Sequence, residues 1–194
     1  MPMYIFTFIK SLIALFVITD SVGNLPFFIG LTEEFSKEER RKAFSTALLT
    51  GLSLLLIFVF GGTLLLDFFN LTINDLKIAG GGLLFVIAVE ILLRGKVYVE
   101  HKEEVGIVPL GCPLLVGPGA ITTALVLLKI YNFWIVLAAI FTCFFLIWLV
   151  LHFSELIYSF LGRNGSLIIQ KIAAIIISAI AVQFIREGIL AILR

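Results

Sequence analysis

Residues 105–128 read VGIVPLGCPLLVGPGAITTALVLL, a run without one charged side chain that is nevertheless broken by Pro109, Gly111, Pro113, Gly117, Pro118 and Gly119. Its length suits a bilayer crossing, which takes about 20 apolar residues. It lacks the polar face of a soluble surface helix and the strict alternation of a barrel strand. Gly117-Pro118 reads as the stop of one half-helix and the first turn of another, because proline fits the first helical position, where no N–H is needed. Counted from Val105, Gly117 lies roughly 18 Å along a helix, near the middle of a hydrocarbon core of about 30 Å. The stretch therefore predicts a membrane span interrupted at mid-depth.

The rest of the chain agrees. Of 194 residues, 61% are hydrophobic and 14% charged, and mean hydropathy is +1.17, well beyond a soluble domain that is nearer half apolar and a quarter charged. The formal net charge of +1 gives no reason to expect a nucleic-acid partner. Cys112 and Cys143 sit inside apolar runs without metal-ligand spacing and read as small hydrophobes. No cleavable signal is evident at the start, so the first apolar run is expected to be retained as a span. Further spans fall at residues 11–32 (interrupted by Asp20), 43–66, 78–93 (with Glu90), 130–151 and 167–185 (with Lys171). Two charged stretches, 33–42 (EEFSKEERRK) and 94–104, read as water-facing connections. Lys37, Arg40, Arg41, Lys42, Arg94, Lys96, Lys102 and Arg163 then share one side, and the positive-inside bias makes that side cytoplasmic, with both termini outside in a plasma membrane.

The two halves repeat. Val22-Gly23 recurs as Val116-Gly117, an offset of 94 (116 − 22), and Lys77-Ile78-Ala79 recurs as Lys171-Ile172-Ala173 at the same offset (171 − 77). Ile87-Ala88-Val89 returns as Ile180-Ala181-Val182 with a one-residue slip. An odd number of helices per half turns the second copy upside down, as in many secondary transporters. The expected fold is thus an all-α integral membrane protein: six transmembrane helices as two inverted-topology repeats of three, with broken first and fourth helices. It forms a single transmembrane domain over 1–194, with repeat one at about 1–95, a cytoplasmic connector at about 96–104 and repeat two at about 105–194.

The first span carries the matching break, Asp20-Ser21-Val22-Gly23-Asn24-Leu25-Pro26. Pro26 withholds an N–H, and Gly23 and Asn24 favour caps and left-handed turns. Half-helices starting at about Asn24 and Pro118 would aim two N-termini at one central spot, where exposed N–H groups suit a carboxylate. Asp20, whose counterpart is Leu114, suits an ammonium group or a coupling cation, H+ or Na+; no other cofactor is implied. The substrate-site expectation is Asp20, Gly23, Asn24, Gly117, Pro118 and Gly119, with Asp20 and Glu90 as coupling candidates. Kinks and close packing alone would also explain one Gly/Pro break, and two at matching places favour function. Glu90 precedes Arg94 by four residues, so a helix-surface ion pair is its default reading. Lys77 and Lys171 read as snorkelling to the interface, and Gly80-Gly81-Gly82 as close helix packing. His152 and Glu155, three apart, lack a third ligand.

Asp20-Ser-Val-Gly23-Asn24-Leu-Pro26, Ile78-Ala-Gly-Gly81 and Pro113-Leu-Leu-Val-Gly117-Pro118-Gly119-Ala120 resemble the signature segments of the MarC family of bacterial and archaeal membrane proteins. The resemblance runs over essentially the whole chain in length, span count and motif order. One departure is Ser21, where family members usually carry proline, which predicts a gentler first break. The resemblance implies a multi-pass inner-membrane protein. Its SnatA-type branch transports small neutral amino acids such as glycine and alanine, coupled to an ion gradient. A passive channel or exporter of small neutral metabolites shares the architecture without needing a coupling ion, and an intramembrane enzyme would need a catalytic set. No GxGD, HExxH, nucleotide loop or Ser/His/Asp arrangement is present, so no enzymatic activity is expected. The expected partners are a small-molecule substrate and the lipid bilayer, with a homo-oligomer left open.

Overall fold

The structure is a computed structural model that describes residues 2–19, 24–94 and 104–193. It is helical in every element, with no strand among the described residues. Helix α1 is Pro2–Thr19, α2 Leu25–Leu31, α3 Lys37–Phe68 and α4 Ile73–Arg94; an interrupted wide-turn segment, Gly106–Leu115, leads into α5, Pro118–Ile130, and α6 is Phe133–Ile192. Four stretches are long and apolar enough to cross a membrane: Lys37–Gly62, Ile73–Leu93, Phe133–Ser154 and Ala174–Ile192. The interrupted segment and α5, meeting at 53°, qualify as a fifth when taken together. The apolar part of α1, Tyr4–Thr19, is shorter.

Local chemistry sets the helix starts. Ser36 and Glu39 form a capping box on α3: the Ser36 N–H donates to Glu39 Oε2 at 2.8 Å, and the Glu39 N–H to Ser36 Oγ at 3.3 Å. Thr72 and Asp75 repeat the device on α4, at 2.7 and 3.3 Å. Asn132 caps α6 by accepting from the Trp134 N–H at 3.0 Å. Between α3 and α4 the chain reverses through Asn70, at φ 52°, with the Leu71 N–H donating back to the Leu66 carbonyl at 2.8 Å.

Helix α6 is helical along its length but cannot be straight. The ring of Phe133 lies 5.6 Å from that of Phe60 on α3, whereas Gly188 packs against Ile78 and the Asn74 carbonyl on α4. A straight helix from Phe133 to Gly188 would measure roughly 80 Å, but Phe60 and Asn74 are separated by a chain that fully extended spans only about 50 Å. The element therefore folds back between His152 and Ala181. Its first part lies antiparallel to α3, since Phe133 meets Phe60 while Trp148 and His152 share a groove with Lys37 and Arg41. Its second part lies antiparallel to α4: Gly188 faces Asn74, and Gly81 faces Ala181 and Ile185. A Cβ on Gly81 would stand 2.7 Å from the Ala181 carbonyl oxygen, so glycine is what lets these two helices touch. That agrees with the packing reading of this glycine run.

The stretch 33–42 departs from expectation. Arg40 is only 1% exposed, among the most enclosed large side chains of the protein. Its Nε donates to Thr32 Oγ1 at 3.3 Å, and one terminal nitrogen to the carbonyls of Thr32 (3.2 Å) and Phe35 (3.3 Å). These carbonyls lie at and just past the end of α2, where a helix leaves acceptors without intrahelical donors and favours positive charge. The connection is thus water-facing only in part. Arg40 heads the buried face of α3, followed by Ala43, Phe44 and Ala47. That is helical spacing.

Candidate functional site

The break at Gly117-Pro118 forms where the sequence predicts it. Gly117 is the N-cap of α5 and Pro118 its first helical residue. Before it, the backbone leaves helical geometry at Val108 (φ −131°, ψ 123°) and again at Cys112 (φ −142°, ψ 127°). Glycines let this irregular backbone lie on α3. A Cβ on Gly106 would collide with the Ala43 carbonyl, and one on Gly111 would stand 2.9 Å from the Thr50 Cβ. At Gly117 a Cβ would come 2.8 Å from the Pro113 carbonyl oxygen, which fixes the sharp approach between the wide-turn segment and α5.

Helix α2 starts at Leu25 with Asn24 as its N-cap residue, so both half-helix starts lie where the sequence put them. Asn24 behaves differently from a ligand-facing cap. Its side chain makes no capping bond; its Nδ2 donates to the Thr19 carbonyl at 3.0 Å and to the Leu114 carbonyl at 3.3 Å. The residue is 9% exposed. Asn24 therefore ties the end of α1 to the interrupted segment of the second half, and its hydrogen-bonding capacity on that nitrogen is used inside the protein. Asp20 and Gly23 lie outside the described residues.

A cavity of about 440 Å³ adjoins the second break. Leu114, Gly117, Pro118 and Gly119 line one side of it, and Ile18, the residue before the end of α1, lines another. The N–H groups of Gly119 and Ala120, in the first turn of α5, have no intrahelical acceptors. Gly119 leaves the wall open: a Cβ there would meet only the Ile18 side chain, at 3.2 Å, which can shift. Lys77 of α4 and Gln183 and Glu187 of α6 also line it. Lys77 Nζ pairs with Glu187 Oε2 at 3.2 Å, and Gln183 donates to Glu187 Oε1 at 2.9 Å. The cavity thus brings together unpaired helix-start N–H groups, a cation, a carboxylate and an amide within an apolar bundle.

Lys77 is consequently not a free snorkelling side chain; it is an ion-pair partner facing the same space as Gly117 to Gly119. Glu187 escaped sequence reading because the sixth apolar run was ended at Ile185, while the apolar segment extends to Ile192. The signal was there in a lysine and a glutamate of opposite charge on two largely apolar helices. Glu90 is half-buried on α4 and does not line the cavity; it lies thirteen residues, roughly 20 Å, along the helix from Lys77.

Comparison with known proteins agrees with this membrane architecture. The model of the MarC family of integral membrane proteins matches residues 5–193. A UPF0056 membrane protein of Archaeoglobus fulgidus is 39% identical, covering 96% of this chain and 93% of its own length. One from Aquifex aeolicus is 34% identical over 94% of this chain and 92% of its own, and the UPF0056 membrane protein YvbG of Bacillus subtilis is 30% identical over 95% of each. No solved structure matches the chain. With a family match over nearly every residue and relatives of equal extent, the chain belongs to the MarC family of integral membrane proteins.

Proposed function

We propose that this protein is a secondary transporter of small neutral amino acids of the glycine and alanine class, driven by a proton or sodium gradient. One observation carries the reading: the first turn of α5, where N–H groups have no intrahelical acceptors, and the Lys77–Glu187 pair line one cavity. A zwitterion needs both signs of partner within a few ångströms. Its carboxylate fits the helix start at Gly119 and Ala120, with Lys77 adding charge. Its ammonium group fits Glu187 and Gln183, or Asp20, which follows the cavity-lining Ile18 by two residues in the chain. An interrupted backbone at membrane depth is tolerated where protein or a watered cavity satisfies it, and here the cavity is present.

The antiparallel pairing of α3 with residues 133–154 and of α4 with residues 174–192 supports six spans in two inverted repeats, α1 and α2 together making the first. The basic bias of Lys37, Arg41 and Lys42 supports a cytoplasmic α2–α3 connection and outside termini in the plasma membrane. The reading is transport, not catalysis. It is tested in proteoliposomes with labelled glycine and alanine, with and without imposed proton and sodium gradients. Accumulation above equilibrium under one gradient is expected. Equilibration without accumulation would make the protein a passive channel, and no flux of either amino acid would reject the substrate class.

A further inference from the structure

A second cavity, of about 430 Å³, lies between α3 and the first part of α6, at the bundle end where α3 begins. Two side-chain pairs at helical i, i+4 spacing face each other across it: Lys37 and Arg41 on α3, Trp148 and His152 on α6. Its floor is apolar, made by Phe44 and Leu151, both buried. Among the residues whose side chains are described, which stop at Ser154 on this part of α6, no carboxylate lines it and neither Lys37 nor Arg41 has an acidic partner. Glu38 and Glu39 share that first turn of α3 but lie off this wall, Glu39 being held in the capping box.

The groove continues as an aromatic ladder. His152 stacks on Trp148 at 5.2 Å between ring centroids, and Trp148 on Phe145 at 5.8 Å. Phe141, one turn further along α6, is 50% exposed, Phe145 56% and Trp148 47%. A cationic mouth with a tryptophan at its edge, running into exposed aromatic rings along a spanning helix, has the chemistry of a lipid: phosphate at the mouth, acyl chain along the ladder.

We propose that this groove is a binding site for an anionic phospholipid, held through its headgroup phosphate by Lys37 and Arg41 and through its acyl chain by Phe145 and Trp148. A free phosphate shares the headgroup chemistry but has no use for the ladder. The site is separate from the cavity at Gly117–Gly119 and does not depend on the transport reading.

The test uses the full chain purified in detergent, with native mass spectrometry and thermal unfolding as readouts. Phosphatidylglycerol and phosphatidylcholine of identical acyl chains, and inorganic phosphate, are titrated separately. Retained adducts and a raised Tm are expected with phosphatidylglycerol only. Lys37→Gln with Arg41→Gln should weaken phosphatidylglycerol binding about ten- to thirty-fold, two charges at a membrane surface acting together, and Arg41→Gln alone by an intermediate factor. Lys10→Gln with Lys129→Gln, which removes as many charges away from the groove, should leave it unchanged. Equal loss in that control, equal binding of phosphatidylcholine, a response to inorganic phosphate matching that to phosphatidylglycerol, or wild-type adducts in both groove variants would each overturn the assignment. If the double variant unfolds without lipid, Arg41→Gln alone decides between intermediate loss and none.

Discussion

Replacing Asn24 by aspartate should harm the protein more than replacing it by alanine, although aspartate is the closer match in shape. The Asn24 Nδ2 donates to the carbonyls of Thr19 at 3.0 Å and Leu114 at 3.3 Å in a setting 9% exposed. Alanine removes both bonds, at ~0.5–1.5 kcal/mol each, and leaves two carbonyls short of a donor, at up to ~1–3 kcal/mol each where water cannot reach. We expect about 2–4 kcal/mol in total, since a small cavity lets some water in. Aspartate loses the same bonds and also turns a carboxylate oxygen toward both carbonyls, so it must protonate or swing away. Swinging away could recover an N-cap bond to α2 worth ~0.5–2 kcal/mol, less than the loss, and it abandons the link to Leu114. The expected order of thermal stability in detergent is wild type, then Asn24→Ala, then Asn24→Asp. At roughly 2–4 °C per kcal/mol for a chain of this size, the separations are measurable by a thermal ramp. An aspartate variant as stable as wild type would refute the idea that this amide ties the end of α1 to the interrupted segment.

Other expectations rest on single observations. Gly117→Ala should lose about 1–3 kcal/mol, as overpacked sites do, because its Cβ would lie 2.8 Å from the Pro113 carbonyl oxygen, whereas Gly82→Ala, with nothing within 4 Å, should be neutral in the same thermal assay. Arg40→Met should destabilise by about 2–4 kcal/mol by removing three charge-assisted hydrogen bonds to Thr32 and Phe35, and Arg40→Lys should rescue only part of it. Asp20→Asn should insert and fold normally yet fail in gradient-driven uptake, while near-normal uptake would remove Asp20 from the mechanism. Single cysteines placed in the 33–42 connection, in a background lacking Cys112 and Cys143, should resist impermeant reagents added to intact cells.

Sequence alone exposed whatever depended on composition or on backbone breakers. The apolar runs located the four stretches long enough to cross a membrane and the bent pair that makes a fifth, and Gly117-Pro118 and Asn24 located the two half-helix starts to within a residue, because proline and glycine act locally, whatever the tertiary setting. Side-chain partners were less visible. Arg40 reads as solvent-facing in sequence because charge density in 33–42 outweighs its helical register with Ala43, Phe44 and Ala47. Glu187 was missed because hydropathy ended the last span too early, and its partnership with Lys77 spans 110 residues of sequence. Asn24 was assigned to a ligand by its residue type and position. Only the packing of one half against the other reveals that its amide is committed to Leu114.

That commitment bears on the transport reading. The cavity at Gly117–Gly119 reaches toward Lys77, four residues into α4, and so toward the bundle end where α3 turns into α4. Toward the opposite end, the polar groups next to it are enclosed: Thr19 at 1% exposure, Asn24 at 9%, Thr32 at 0% and Arg40 at 1%. Their donors are spent on the backbone at both ends of α2, Asn24 Nδ2 on Thr19 and Leu114, and Arg40 on Thr32 and Phe35. Alternating access requires that this side open as the other closes. Helix α2 is held at its two ends by these hydrogen bonds and along its length by the buried Leu25, Phe27, Phe28, Ile29 and Leu31, whereas α4 is held to residues 174–192 by glycine-mediated packing and by the Lys77–Glu187 pair. Under the transport reading, the Lys77–Glu187 pair, partly exposed on the open side, is the contact a bound zwitterion would have to enter.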